Sequence, residues 1–236
     1  MTEEKTNSKE KMTIIDLIKL QLIWYLTNFL IIFCQNYIQF ELPYFNDLYQ
    51  IIFKVIGRSF FISFLLYWTT IYNLSFEELG IKFKNFLEDF EIGLEFSLFL
   101  LLGIIIINLS ISEKIIHPLV KISNLTELTL SLFYFGIVVI SYLIPAFSKE
   151  LLYRGLLFYY FKDKLGAKLG FIVSNLYYVV SYLDLRPGSI IIHLLVGIIT
   201  TYLYYKTESL IASTIFQTIY QASLIVYLFS FSNWPF

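Results

Sequence analysis

The chain has 236 residues, 58% of them hydrophobic, 19% aromatic and only 15% charged, against roughly 25% charged in a soluble globular domain. A formal net charge of −1, with 17 Lys and Arg residues scattered along the chain, excludes the basic field that nucleic-acid binding requires. The single cysteine, Cys34, excludes an internal disulfide and a thiolate metal cluster.

Lipid is the expected solvent, and the expected fold class is all-α, a polytopic transmembrane bundle of seven or eight helices. The opening stretch MTEEKTNSKEKM is polar and mixed in charge. The apolar stretch after it is longer than a signal-peptide core and lacks a small-residue cleavage site, so the amino terminus is expected to be retained. Residues 1–19 are read as a polar cytoplasmic tail, 20–72 as two transmembrane helices and 73–232 as the membrane core.

A bilayer core of about 30 Å takes about 20 helical residues to cross. By that ruler the first helix runs from about Leu20 to Ile38, with Trp24 and Tyr37 near its ends, where aromatic rings favour the headgroup region. Pro43 lies in the turn to a second helix, from about Leu48 to Ile71. Lys54 and Arg58 share a face of that helix, where they line the bundle interior or snorkel. The stretch NLSFEELGIKFKNFLEDFE, Asn73 to Glu91, alternates apolar and charged residues and is expected to lie on the membrane surface. A third helix follows from about Ile92 to Leu109, and then a polar loop in which a solvated His117 precedes Pro118.

From Leu128 to Phe161 the chain stays largely apolar, about 51 Å as one helix at 1.5 Å per residue. That exceeds the bilayer core, so a break is expected at Pro145, giving helices from Leu128 to Ile144 and from Ala146 to Phe161. After KDKLGAK, further helices run from Leu169 to Leu183, Ile190 to Tyr205 and Leu210 to Phe229. Lys5, Lys9, Lys11 and Lys19 favour a cytoplasmic amino terminus. Eight crossings leave Lys162, Lys164 and Lys168 outside, whereas a re-entrant helix at Pro145 brings them inside, so the count is seven or eight.

The stretch AFSKELLYRGLLFYYF sets Lys149, Glu150 and Arg154 within an apolar segment, where each isolated charge costs several kcal/mol. Glu150 and Arg154 are four apart, so one face holds them as an ion pair with the glutamate on the favourable N-terminal side. Lys149 points about 100° away and needs another partner.

This stretch resembles the first motif of the CPBP family, the CAAX proteases and bacteriocin-processing or Abi proteins, in which two adjacent glutamates precede an arginine often followed by glycine. Here it reads KELLYRG. LSFEELGIKFK is similar to the family's short segment before its third helix. SNLYYVVSYL resembles the second motif, an aromatic residue four positions before a histidine, and these positions are Tyr178 and Tyr182. GIITTYLYYKTESLIASTIFQTIYQ is similar to the final motif, a histidine followed four residues later by asparagine or aspartate, and reads Gln217 and Gln221 there.

The resemblance covers about Asn73 to Leu228 and implies an intramembrane endopeptidase fold, whose glutamate and two histidines activate water by a metal or by direct general-base action. This chain departs from that set. A protonated lysine at position 149 neither accepts a proton nor binds a cation. Tyr182 is a poor metal ligand at neutral pH, and Gln217 offers an amide in place of an imidazole. No catalytic residue, metal or cofactor is therefore expected. Instead a cavity lined by Lys149, Glu150, Arg154, Tyr182, Gln217 and Gln221, with His193 as a further candidate, is expected to bind rather than cut.

The chain has two histidines, so a histidine-based metal site would require His117 and His193 to converge from a loop and a helix. His193, four residues before Gly197, reads as a hydrogen-bonded core or cavity side chain. A replacement dyad of Lys149 with Ser181 or Ser213 is chemically conceivable, although no spacing marks it, and Ser148 faces elsewhere. The expected role is a non-catalytic scaffold, immunity or partner-binding protein of a bacterial plasma membrane, with the lipid bilayer and a membrane or cell-envelope protein or peptide as partners. The alternatives are an active CAAX-type protease with altered chemistry, and a transporter or channel component whose path is marked by Lys54, Arg58, Lys149 and Arg154.

Overall fold

The computed structural model describes residues 12–37, 43–112, 125–184 and 186–224. They form helices α1 (Ile14–Tyr37), α2 (Pro43–Ile71), α3 (Phe86–Ser112) and α4 (Leu125–Glu150), a π-helical segment (Leu151–Phe158), then α5 (Tyr159–Val180), α6 (Pro187–Thr207) and α7 (Leu210–Ser223). No strand occurs among the described residues. This is the all-α class that the composition requires, because backbone groups in lipid must be satisfied within their own segment.

Among the described residues, four helical stretches are long and apolar enough to cross a membrane: Ile14–Tyr37, Tyr49–Ile71, Phe135–Val180 and Pro187–Thr207. The seven or eight spans expected from the sequence include helices that the described residues do not bring to that length, α7 among them at 14 residues. Outward faces are apolar, with Phe29, Phe60, Phe99 and Ile140 well exposed, which is the surface a lipid solvent demands. Helix α7 packs on α3, α4 and α6, helix α5 on the π segment and α6, and helix α2 on α1 and α4. The π segment lies at the centre, with all eight of its residues buried.

Several boundaries depart from the sequence expectation, α2 among them, which begins at Pro43 rather than Leu48; three departures bear on the site. First, α1 begins at Ile14 rather than Leu20. Thr13 Oγ1 donates to Asp16 Oδ2 at 2.7 Å and Asp16 N donates back to Thr13 Oγ1 at 3.4 Å, a reciprocal cap that starts the helix early. Second, Pro145 lies inside α4 without ending it. Pro145 removes the backbone donor to the Ser141 carbonyl, yet α4 runs on through it while packed against α2 and α7. Ser141 Oγ donates to the Val138 carbonyl and Ser148 Oγ to the Pro145 carbonyl, both at 2.8 Å. The irregularity falls in the next turn instead, as the π segment.

The chain reverses at Gly166, whose φ of 79° and ψ of 167° interrupt α5 within KDKLGAK. Past it, a Cβ on Gly170 would stand 2.7 Å from Lys162 N and 2.9 Å from Lys162 Cα, so only glycine lets the returning helix press on the one it left.

The third departure is the segment expected on the membrane surface. It divides into turns over 72–85 and the first turns of α3, which starts at Phe86 rather than Ile92. The turn portion docks on the α6–α7 junction. Leu79 is fully buried, the Gly80 carbonyl accepts from Leu210 N at 2.8 Å, and Lys82 Nζ pairs with Glu208 Oε2 at 3.0 Å. Ser209 caps α7 by accepting from Ile211 N at 3.1 Å. His117 lies outside the described residues.

Candidate functional site

The end of α4 and the start of the π segment carry the charged stretch KELLYR. Glu150 is wholly buried and Arg154 nearly so, and Arg154 Nε stands 3.5 Å from Glu150 Oε2. Neither atom has a hydrogen-bond partner among the described residues, so the contact is an ion pair rather than a charge-assisted hydrogen bond. The other Glu150 oxygen, Oε1, accepts from Gln217 Nε2 of α7 at 2.6 Å. Gln217 Nε2 also donates to Tyr178 Oη at 3.3 Å, and Tyr178 Oη shares a 2.9 Å hydrogen bond with Tyr182 Oη.

Arg154 continues the network to α6. Its Nη2 donates to the Gly197 carbonyl at 3.0 Å and to Thr200 Oγ1, and its guanidinium stacks 4.4 Å above the Tyr178 ring. A Cβ at Gly197 would meet Asn175 Oδ1 at 2.8 Å and Tyr178 Cδ1 at 3.0 Å, so this glycine brings α6 close enough for its carbonyl to be used. Four elements are thereby tied at one point: α4 with the π segment, α5, α6 and α7.

Lys149 meets this network at its tyrosine rings. Its Nζ lies 4.7 Å above the Tyr182 ring and 5.3 Å from that of Tyr178, and among the described residues it forms no salt bridge. It lines a cavity of about 550 Å³ together with Lys54, Arg58, Tyr182, Ser181 and Gln221. Lys54 Nζ stands 3.8 Å over the Tyr142 ring, and the Arg58 guanidinium stands 3.8 Å over Trp24 and donates to Asn28 Oδ1. Both side chains line this cavity.

The sequence candidates therefore divide into two groups. Glu150, Arg154 and Gln217 form a buried network, Lys149 and Gln221 line the cavity, and Tyr182 joins the two. His193 stacks on Tyr182 with ring centroids 3.7 Å apart. The hydroxyl of Ser181 donates to the Tyr178 carbonyl at 2.7 Å and lies 2.8 Å from Tyr153 Oη, which accepts from Gln21 Nε2 at 3.2 Å. Tyr153 is therefore the donor to Ser181, and that serine is committed to a structural chain. Ser213 Oγ donates to Leu210 O at 3.1 Å. Neither serine hydrogen-bonds Lys149.

Sequence reasoning missed Trp24, Asn28, Tyr142 and Tyr153. A signal existed for part of this set: Gln21, Trp24, Tyr25 and Asn28 recur at spacings of three and four, which places polar and amphipathic groups on one face of α1.

The donor set does not suit a divalent metal. Lys149 offers an ammonium, and the one carboxylate, Glu150, already faces Arg154 and Gln217. No group of three His, Cys, Asp or Glu capable of holding a metal ion occurs among the described residues.

Fold and site together define an integral membrane protein with a sealed polar network beside an open cationic cavity. Residues 131–223 match the family model described as type II CAAX prenyl endopeptidase Rce1-like. That stretch runs from within α4 to the end of α7 and contains Lys149, Glu150, Arg154, Tyr182, His193, Gln217 and Gln221, whereas Lys54 and Arg58 lie outside it. Neither a curated protein nor a solved structure matches the chain.

Proposed function

We propose that this protein is a non-catalytic relative of the CAAX prenyl endopeptidases, which holds a ligand or partner in its cavity and acts as a scaffold, immunity or partner-binding protein. We place it in a bacterial plasma membrane with the amino terminus cytoplasmic. The observation that carries this reading is the absence of any Asp or Glu among the described residues lining the cavity. Peptide hydrolysis at neutral pH needs a base within reach of water and substrate. Glu150 is fully buried, with one oxygen held by Gln217 and the other facing Arg154. Lys149 borders the cavity at the position where the family motif places its first glutamate.

The test is a peptidase assay in nanodiscs with a prenylated CAAX peptide. The unaltered protein is expected to leave the peptide intact. The combined variant Lys149→Glu, Tyr182→His, Gln217→His and Gln221→Asn is expected to restore measurable cleavage, whereas each single reversion is silent, because catalytic groups act as a unit. Cleavage by the unaltered protein, abolished by Glu150→Ala, would overturn the proposal.

A further inference from the structure

We infer that the cavity bordered by α1, α2 and α4 is a binding site for a phosphate group, carried either by an anionic lipid headgroup or by free phosphate. Three cations, Lys54, Arg58 and Lys149, line one cavity of about 550 Å³, and no described acidic residue lines it. Within an apolar bundle each of these charges is costly unless it is neutralised. Cation–π contacts with Tyr142, Trp24 and Tyr182 recover part of that cost. They leave the net positive charge in place, and three like charges around one space repel one another.

Arg58 is the most telling of the three. It is 8% exposed, and among the described residues its Nε and Nη1 have no hydrogen-bond partner. A phosphate group supplies what the cavity lacks, negative charge and several acceptor oxygens, and Arg and Lys side chains are the donors that recognise it. Asn28 and Gln221 add neutral polar groups to the same wall.

The shape extends the argument to an amphiphile. A second lobe of about 450 Å³ shares Asn28, Lys54, Arg58 and Tyr142 with the first and continues between Ile31, Ile51 and Val138. Charge at the junction matches a headgroup, and the aliphatic side of this groove, which Gln35, Gln50 and Ser141 also line, gives an acyl chain its way out. Lys54 sits five residues into the apolar stretch that begins at Tyr49, about 7.5 Å along a helix axis.

This inference rests on the non-catalytic reading only in taking Lys149 as a ligand contact rather than a base. The protein is reconstituted in phosphatidylcholine nanodiscs with or without phosphatidylglycerol, and bound lipid is counted by native mass spectrometry alongside thermal melts. Inorganic phosphate is titrated in a separate arm, in pure phosphatidylcholine. Selective retention of phosphatidylglycerol with a raised melting temperature identifies the headgroup, and a melting rise with phosphate alone identifies the free anion.

In either case Lys54→Gln with Lys149→Gln is expected to lower affinity by about tenfold per charge removed. Arg58→Lys, which keeps the charge, is expected to retain the preference. Should the double variant fail to fold, Lys54→Gln alone carries the test. No response in either arm, or a neutralised variant that binds as well as the unaltered protein, overturns the inference. Peptidase activity in the unaltered protein would sink the non-catalytic reading without touching the anion result, so the two failures are distinguishable.

Discussion

At Arg154, one side chain meets four partners: the Glu150 carboxylate, the Gly197 carbonyl, the Thr200 hydroxyl and the Tyr178 ring. Its removal leaves a buried carboxylate with only Gln217 to face it, and uncompensated buried charges are among the most destabilising of single changes. Arg154→Ala is expected to cost about 3–5 kcal/mol. The double variant Glu150→Ala, Arg154→Ala is expected to lose less than Arg154→Ala alone, because the orphaned charge is gone. Thermal melts in detergent decide this, and additive losses would argue against coupling.

The Glu150–Arg154 pairing was legible from spacing, since both stay on one face at four residues apart. The direction of Lys149 was legible for the same reason. The assignment of Glu150 to Gln217 was not, because those residues stand 67 positions apart and meet only when α7 packs on α4.

At the scale of elements, two junctions govern how the bundle closes. Gly166 adopts a backbone region that is essentially glycine-only, so Gly166→Ala is expected to destabilise the α5 reversal by about 1–3 kcal/mol. Gly136, helical and with nothing within 4 Å of an added Cβ, is the control. Gly136→Ala is expected to be neutral or to stabilise by up to about 1 kcal/mol. Melting temperatures of the two variants measured together separate backbone strain from a general response to added methyl groups.

The second junction is the docking of the turn segment on α6–α7 through Lys82 and Glu208. Hydrogen bonding and charge from Lys82 hold the Glu208 carboxyl below its ordinary value of 4.5. A lowered folded-state pKa stabilises the docked segment above the unfolded value, and that contribution is lost as pH falls through the folded value. Amide exchange of the backbone around Gly80 is therefore expected to accelerate modestly below about pH 4.5, and Glu208→Gln is expected to remove that dependence. The effect is small because the pair is largely exposed. The sequence marked this segment as amphipathic but assigned its apolar side to lipid. Leu79 instead buries against protein, and periodicity alone cannot distinguish the two.

Across the whole molecule, the exposed apolar belt makes lipid part of the folded state. A charge placed on that belt is expected to be penalised, because lipid tails offer it neither water nor a counter-charge. Ile140→Lys, on the outer face of the stretch Phe135–Val180, is expected to cost about 2.5–3.5 kcal/mol if it lies near the bilayer centre. Melts in nanodiscs check the value. A variant as stable as the unaltered protein would mean that this face is covered by protein rather than lipid.

Amino-acid order by itself determined the helical class and the membrane environment, since both are written in local hydrophobicity, and it carried the resemblance of KELLYR, SNLYY and TIFQTIYQ to the motifs of a known family. Tertiary packing alone decided that Pro145 stays within its helix, because α4 is held between α2 and α7 on either side of it. Packing also decided that Glu150 is sealed away while Lys149, one residue earlier, meets Lys54 and Arg58 across a shared cavity. Those neighbours are distant along the chain, and nothing local records which helix faces will meet.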